Sequence, residues 1–315
     1  TLSAGVTDTI TFALGADIGN AATPTTNEDG IVNGGAATSA NTTLIVTATD
    51  ADAIDAATTL TGGTGSDTLV ITNVSGGTAD INLMTGFESI TVNDFTNGED
   101  VSIQDNNAGT NGGSPLLIDT SSLDAGENTT IDTNNFGATA AVTVTAGNGT
   151  NNILTGAGDD VITGGSGIDT IDGDANYLTG DIINAGAGND IINVTADADF
   201  SNSSTTALVT DVVDGGAGTD TLAFGASGTF TKAELANISN IEKMTLTAGT
   251  TITLSDEFLT NNPGVAITLT QGTISAGAGT TADPTVTLPI TYTNTGTAAI
   301  NFKGGTADDV IRAAG

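Results

Sequence analysis

Between residues 146 and 223 the chain keeps one phase through seven frames of nine residues. Frames 146–154, 155–163 and 164–172 follow each other directly. The fourth opens at Gly173 and carries three extra residues before recovering at Asp181-Ile182-Ile183-Asn184. Frame 185–193 is regular, a twelve-residue excess ends at Asp211-Val212-Val213-Asp214, and 215–223 closes the run. The sixth position is Asn151, Asp160, Asp169, Asp181, Asp190, Asp211 and Asp220; the eighth is Ile153, Ile162, Ile171, Ile183, Ile192, Val213 and Leu222. Glycine at positions two and four permits a tight turn with positive φ. The three residues after the acid suffice for a short strand, middle side chain inward and flanks outward. A turn and a short strand, repeated, wind a chain into a solenoid around an aliphatic ladder.

The acids then set a condition. Strands stack ~4.8 Å apart. Like charges at that distance repel by roughly 3 kcal/mol per pair at an effective dielectric near 20. A domain is stable by only about 5–15 kcal/mol. Bare carboxylates in a stack therefore call for a cation between turns. Carboxylate and carbonyl oxygens suit a hard ion and favour Ca²⁺ over transition metals or Mg²⁺.

These frames resemble the repeat-in-toxin (RTX) nonapeptide, GGxGxDxUx. The resemblance implies an all-β fold, a right-handed parallel β-roll or β-helix solenoid, with several Ca²⁺ ions held between stacked turns by the sixth-position Asp and turn carbonyls. It carries Asp160, Asp169, Asp181, Asp190, Asp211 and Asp220 over as metal ligands, with the turn glycines Gly156, Gly158, Gly165, Gly167, Gly186, Gly188, Gly216 and Gly218. Asn151 departs from the pattern, which puts the first site in doubt. Isolated copies at 62–70 and 304–312 add Asp67 and Asp309 as metal ligands. The alternative for every copy is a plain Gly/Asp turn between strands.

Composition narrows the function. Thirty-seven acidic against four basic residues give a net charge of −33, which excludes nucleic acid as a direct partner and disfavours an anionic membrane. Aromatics are 3 % and glycines number 43, too little bulk for a thick core but enough for a ladder one side chain deep. The 37 % of hydrophobic residues, in alternation, argue against plain disorder; order conditional on the cation is expected. Cysteine and histidine are absent, so no disulfide, thiolate site, HExxH zinc site or Ser-His-Asp triad can form. No apolar run is long enough for a transmembrane helix. The chain starts at Thr1 without Met and stops at Gly315 just after a repeat; a piece of a longer protein is expected.

Five segments are expected: a Thr-rich β segment at 1–61; a β-helical segment at 62–145, opening with one RTX-like copy; the β-roll at 146–223; a β-rich segment at 224–303; and the start of another repeat at 304–315. Residues 8–12 and 43–47 alternate as strands do. Asp50, Asp52 and Asp55 form an acidic cluster that reads more simply as a solvated turn. The order "repeat, then apolar-Glu-x-apolar-Thr-apolar" occurs twice, with Asp67 before Glu88 and Asp220 before Glu242. The two glutamates read as strand residues or turn satisfiers before ligands or catalytic acids. Residues 101–145 fit a solenoid or a β-sandwich. A helix is expected at 231–237, with Thr231 as N-cap and Glu234 three residues on.

The resemblance extends to bacterial surface-layer (S-layer) proteins and large RTX adhesins. It implies an extracellular structural protein, probing no substrate, exported by type I secretion, that folds on meeting calcium and self-associates into a lattice. The other readings are a secreted adhesin module and the folding appendage of a secreted enzyme. Acid pairs for glycoside cleavage remain open on spacing, but the aromatic platforms that sugars use are scarce.

Overall fold

A computed structural model describes residues 8–14, 31–33, 42–48, 59–61, 66–72, 78–81, 83–93, 100–104, 115–134, 140–173, 180–194, 211–225, 228–247, 250–269, 272–276, 291–294, 301–303 and 310–313. The chain divides into two compact units, Thr1–Gly167 and Ile168–Gly315, the cut falling inside the glycine-rich array.

In the first unit one ladder runs through Asp8–Leu14, Thr42–Ala48, Thr68–Thr72, Ser89–Val92, Leu116–Asp119, Val142–Thr145 and Val161–Thr163, each parallel to the next. A second runs through Thr78–Ile81, Asp100–Gln104, Thr129–Asp132 and Asn151–Leu154, again parallel. A third, shorter one joins Ile31–Asn33, Thr59–Thr61 and Leu83–Thr85. Strands next to each other in a ladder are never next to each other in sequence, because the chain visits another ladder before returning. The described strands within 101–145 thus belong to a solenoid and not to a β-sandwich.

In the second unit Thr170–Asp172, Ile191–Val194, Thr221–Phe224, Lys243–Leu246, Ala266–Leu269, Thr291–Asn294 and Val310–Ala313 form one parallel ladder. Ile182–Asn184, Val212–Asp214 and Ile238–Ser239 form another. Gly228–Phe230, Thr250–Leu254, Gly272–Ala276 and Asn301–Lys303 form a third.

The core of each unit is a set of register-matched aliphatics. Leu69, Ile90, Ile118, Val144 and Ile162 are successive register partners, and all are fully buried. So are Ile171, Ile192, Leu222 and Met244 in the second unit. Each buried aliphatic contributes about 1.5–3 kcal/mol of transfer free energy. The strand flanks point outward: Val161–Thr163 and Ile182–Asn184 bury only their middle residue. Phe224 and Phe230 meet edge to face, with ring centroids 4.7 Å apart.

The expected helix at 231–237 is not one. Glu234 does reach back to the Thr231 amide, at 2.5 Å, but the segment is a run of turns ending at Ile238–Ser239. Its residues are claimed by that strand before a second helical turn can close. The α-helix among the described residues is Asp256–Asn261, where Ser255 as N-cap accepts from the Phe258 amide and Asp256 and Glu257 sit in the first turn.

Candidate metal centre

A strand opens immediately after each of Asp160, Asp169, Asp181, Asp190, Asp211 and Asp220. That places the sixth-position side chain at the mouth of the strand. Asp160, Asp169, Asp190 and Asp220 are completely buried; Asp67, Asp181 and Asp211 are 1 %, 4 % and 5 % exposed. Ionised carboxylates are seldom hidden so completely without partners.

The register explains one partner. Stacked acids are two frames apart, and four of the carboxylates, those of Asp160, Asp190, Asp211 and Asp220, accept the backbone N–H of the residue opposite on the preceding rung. Val142 N–H donates to Asp160 Oδ1 at 2.7 Å, Asp181 N–H to Asp211 Oδ1 at 3.0 Å, Asp169 N–H to Asp190 Oδ1 at 2.8 Å, and Asp190 N–H to Asp220 Oδ1 at 2.8 Å. The carbonyls of the same residues continue the ladder, Asp169 O accepting from Ile191 N–H and Asp190 O from Thr221 N–H, both at 2.8 Å. The stack is therefore not bare: one oxygen of each of these four carboxylates closes a strand entrance. The other oxygen is different. Asp190 Oδ2 and Asp220 Oδ2 are buried and have no hydrogen-bond partner.

The electrostatics follow. Burial pushes the Asp220 carboxyl up to about 6 from 3.8; the Asp190 amide pulls it down, and the charges of Asp190, Glu242 and Asp214 push it up further. Burial likewise raises Asp190, against the pull of the Asp169 amide. The site is short of positive charge.

The turn glycines let backbones approach where no side chain fits. A Cβ on Gly165 would lie 2.0 Å from Gly147 O and one on Gly167 1.8 Å from Gly149 O; on Gly216 it would lie 1.9 Å from Gly186 O, on Gly218 1.4 Å from Gly188 O, and on Gly158 2.3 Å from Ala140 O. Gly165 and Gly216 also have φ of 110° and 87°, open to glycine at little strain. Gly186 O accepts the Ala217 amide at 2.8 Å, and Ala187–Gly188 pairs with Ala217–Gly218. Gly156 is buried in its turn, its carbonyl accepting from Gly158 N–H at 3.2 Å. The structure thus stacks Gly216 on Gly186 and Gly218 on Gly188, and sets Gly165 and Gly167 against Gly147 and Gly149, two frames apart in each case.

The isolated copy at 62–70 places Asp67 at the entrance of Thr68–Thr72, with Glu88 on the next rung; residues 62–65 lie outside the described residues. Glu88 Oε2 accepts the Asp67 amide at 2.6 Å, and Glu242 Oε2 accepts the Asp220 amide at 2.9 Å. The two glutamates do one job, as turn satisfiers, in the position a further Asp would take. Burial raises the Glu88 carboxyl, the Asp67 amide opposes this, and the Asp67 charge adds to it. Asp309, in the copy at 304–312, lies outside the described residues, as do Asp50, Asp52 and Asp55.

Sequence reading left two amides unassigned. Asn151 is fully buried, and its Nδ2 donates to Gly147 O, Gly149 O and Gly164 O at 3.1, 3.0 and 2.9 Å. Asn262, also fully buried, donates from Nδ2 to Ile238 O and Phe258 O and accepts the Ile241 amide. The phase of Asn151 was the available signal; Asn262 follows no frame and had none.

Among the described residues no three acidic side chains gather at one point. Orphaned buried carboxylate oxygens, stacked carbonyls and an all-oxygen donor set fit a hard divalent cation. The family model of the RTX calcium-binding nonapeptide repeat matches residues 145–176, 179–201 and 210–227, in four copies. No curated protein and no solved structure matches the chain. The stretch from 145 to 227 is an array of RTX calcium-binding nonapeptide repeats, and calcium is the ion its turns take.

Proposed function

We propose that this chain is a calcium-dependent structural component of a bacterial cell-surface layer, exported unfolded and folding outside the cell, and that Asp160, Asp169, Asp181, Asp190, Asp211 and Asp220 are its side-chain ligands. The observation that carries the ligand assignment is the pair of buried, unpartnered oxygens, Asp190 Oδ2 and Asp220 Oδ2. Bound calcium supplies the positive charge that the buried acids lack. The chain's own part is to hold Asp190 and Asp220 by one oxygen against a backbone amide, leaving the other oxygen of each unpartnered.

The net charge of −33 works the same way over the whole chain. Self-repulsion opposes compaction where calcium is scarce, and binding free energy becomes folding free energy where it is plentiful. Extracellular calcium modules have Kd of about 10⁻⁴–10⁻³ M, suited to such a switch. A structural role is favoured over catalysis because the sequence holds no His and no Cys and its buried acids are committed to turns. Assembly needs apolar contact as well as ions, and Ile182 and Val212, register partners in the second unit, are 48 % and 42 % exposed.

The test is calcium titration followed by circular dichroism, light scattering and electron microscopy. Gain of β-structure together with two-dimensional sheets supports a surface-layer role. Gain of β-structure in a species that stays monomeric and adheres to cells supports the adhesin reading. A chain that binds no calcium removes both.

A further inference from the structure

Asn151 stands at the sixth position of its frame, where the other six frames carry Asp. Its side-chain nitrogen donates to three carbonyls. Gly147 O and Gly149 O belong to its own turn, and Gly164 O opens the turn stacked on it, since a Cβ on Gly165 would touch Gly147 O and one on Gly167 would touch Gly149 O. One nitrogen therefore ties two stacked turns together through main-chain oxygens. Only the NH₂ end of the amide can face three carbonyls, because its oxygen would repel them. It also brings partial positive charge without the carboxylate that a cation would have to balance. Asn262 shows the same economy in the second unit, its Nδ2 tying Ile238 O to Phe258 O with no acid involved.

We infer that the Asn151 amide takes the place of a calcium ion, making the turns at 147–149 and 164–167 a calcium-independent rung of the array. This rests on the proposed assignment of the sixth-position acids as calcium ligands. The rung is already tied before any ion arrives, so the strand Asn151–Leu154 and its parallel neighbour Thr129–Asp132 hold their register under chelation, while Ile182–Asn184 and Ile191–Val194 do not. Asparagine here sets which turns answer to calcium.

The test combines hydrogen exchange, with calcium and with excess chelator, and bound calcium per chain measured by atomic emission, on the full chain. In the wild type, amides of 151–154 keep their protection under chelation, whereas those of 182–194 lose it. Asn151→Asp binds one more calcium per chain, and protection at 151–154 becomes calcium-dependent. Asn151→Ala loses protection there by about tenfold or more, since three buried carbonyls lose their donor, and calcium does not restore it. That contrast separates a replaced ion from a merely damaged turn. Equal loss of protection at 151–154 and 182–194 in chelated wild type, or an unchanged calcium count in Asn151→Asp, overturns the inference while leaving the ligand assignment intact. A wild-type chain that binds no calcium overturns both.

Discussion

The Asp190 amide donates to the Asp220 carboxylate at 2.8 Å, across thirty residues of sequence. The same contact links Asp169 to Asp190 and, with Glu in place of Asp, Asp220 to Glu242. A line of acids thus reads as a line of caps, each closing the strand entrance of the one before. Removing one acid therefore harms two rungs.

Asp190→Ala leaves the Asp169 amide without its acceptor and takes a buried ligand oxygen away. It should destabilise the calcium-bound form by about 1–3 kcal/mol and weaken calcium binding by more than about tenfold. Asp124→Asn, at an exposed position, should change neither. Chemical denaturation and titration calorimetry on both variants check the pair.

Chelation should strip most of the β-structure of the acid-lined turns, and circular dichroism should move toward coil and return on adding calcium. A spectrum indifferent to excess chelator would contradict the account of the buried acids.

In the calcium-free chain acid should return part of the β-structure that chelation removes, the inverse of the response of a salt-bridged carboxylate. Asp220 is raised to about 6 in the fold from 3.8, so the folded form binds the proton more tightly than the unfolded one. Stability then rises as pH falls from about 6 toward 4, and drops as pH climbs back. Calcium affinity moves the opposite way, because proton and ion compete for the same oxygens. Glu242→Gln keeps an oxygen for the Asp220 amide and removes one repelling charge, so the Asp220 midpoint should fall. Carboxyl-detected NMR titration follows both effects.

Gly218→Ala should be the most damaging of the small changes. Its Cβ would lie 1.4 Å from Gly188 O, main chain on main chain with nothing flexible to yield. A loss of about 3 kcal/mol or more is expected, with weaker calcium binding. Gly126→Ala meets no atom within 4 Å and should stay within about 0.5 kcal/mol of the wild type. Thermal melts in saturating calcium compare the two.

The ladder of eighth-position aliphatics and the stacking of the sixth-position acids were legible because both depend on phase alone. Ile162, Ile171 and Ile192 point inward for the period-two reason that made them predictable. What phase does not contain is which rung touches which. Successive frames enter different ladders, so Asp160 caps Val142 and not a residue of the adjoining frame. The caps supplied by Glu88 and Glu242 were visible as a recurring order of residues, but their job emerged only once register paired each with the Asp before it. The helix was misplaced because Thr231 and Glu234 form a local capping contact that needs only four residues. Asp256–Asn261 owes its existence to burying Phe258 and Leu259, which is a tertiary matter.

Thr170 faces Ile191 after 21 residues, whereas Ile182 faces Val212 and Ile191 faces Thr221 after 30. The twelve-residue excess before Asp211 lengthens two neighbouring steps, one in each ladder, and shifts neither out of alignment. The array counts windings instead of residues. Extra residues inserted before Asp211 should therefore leave both alignments as they are.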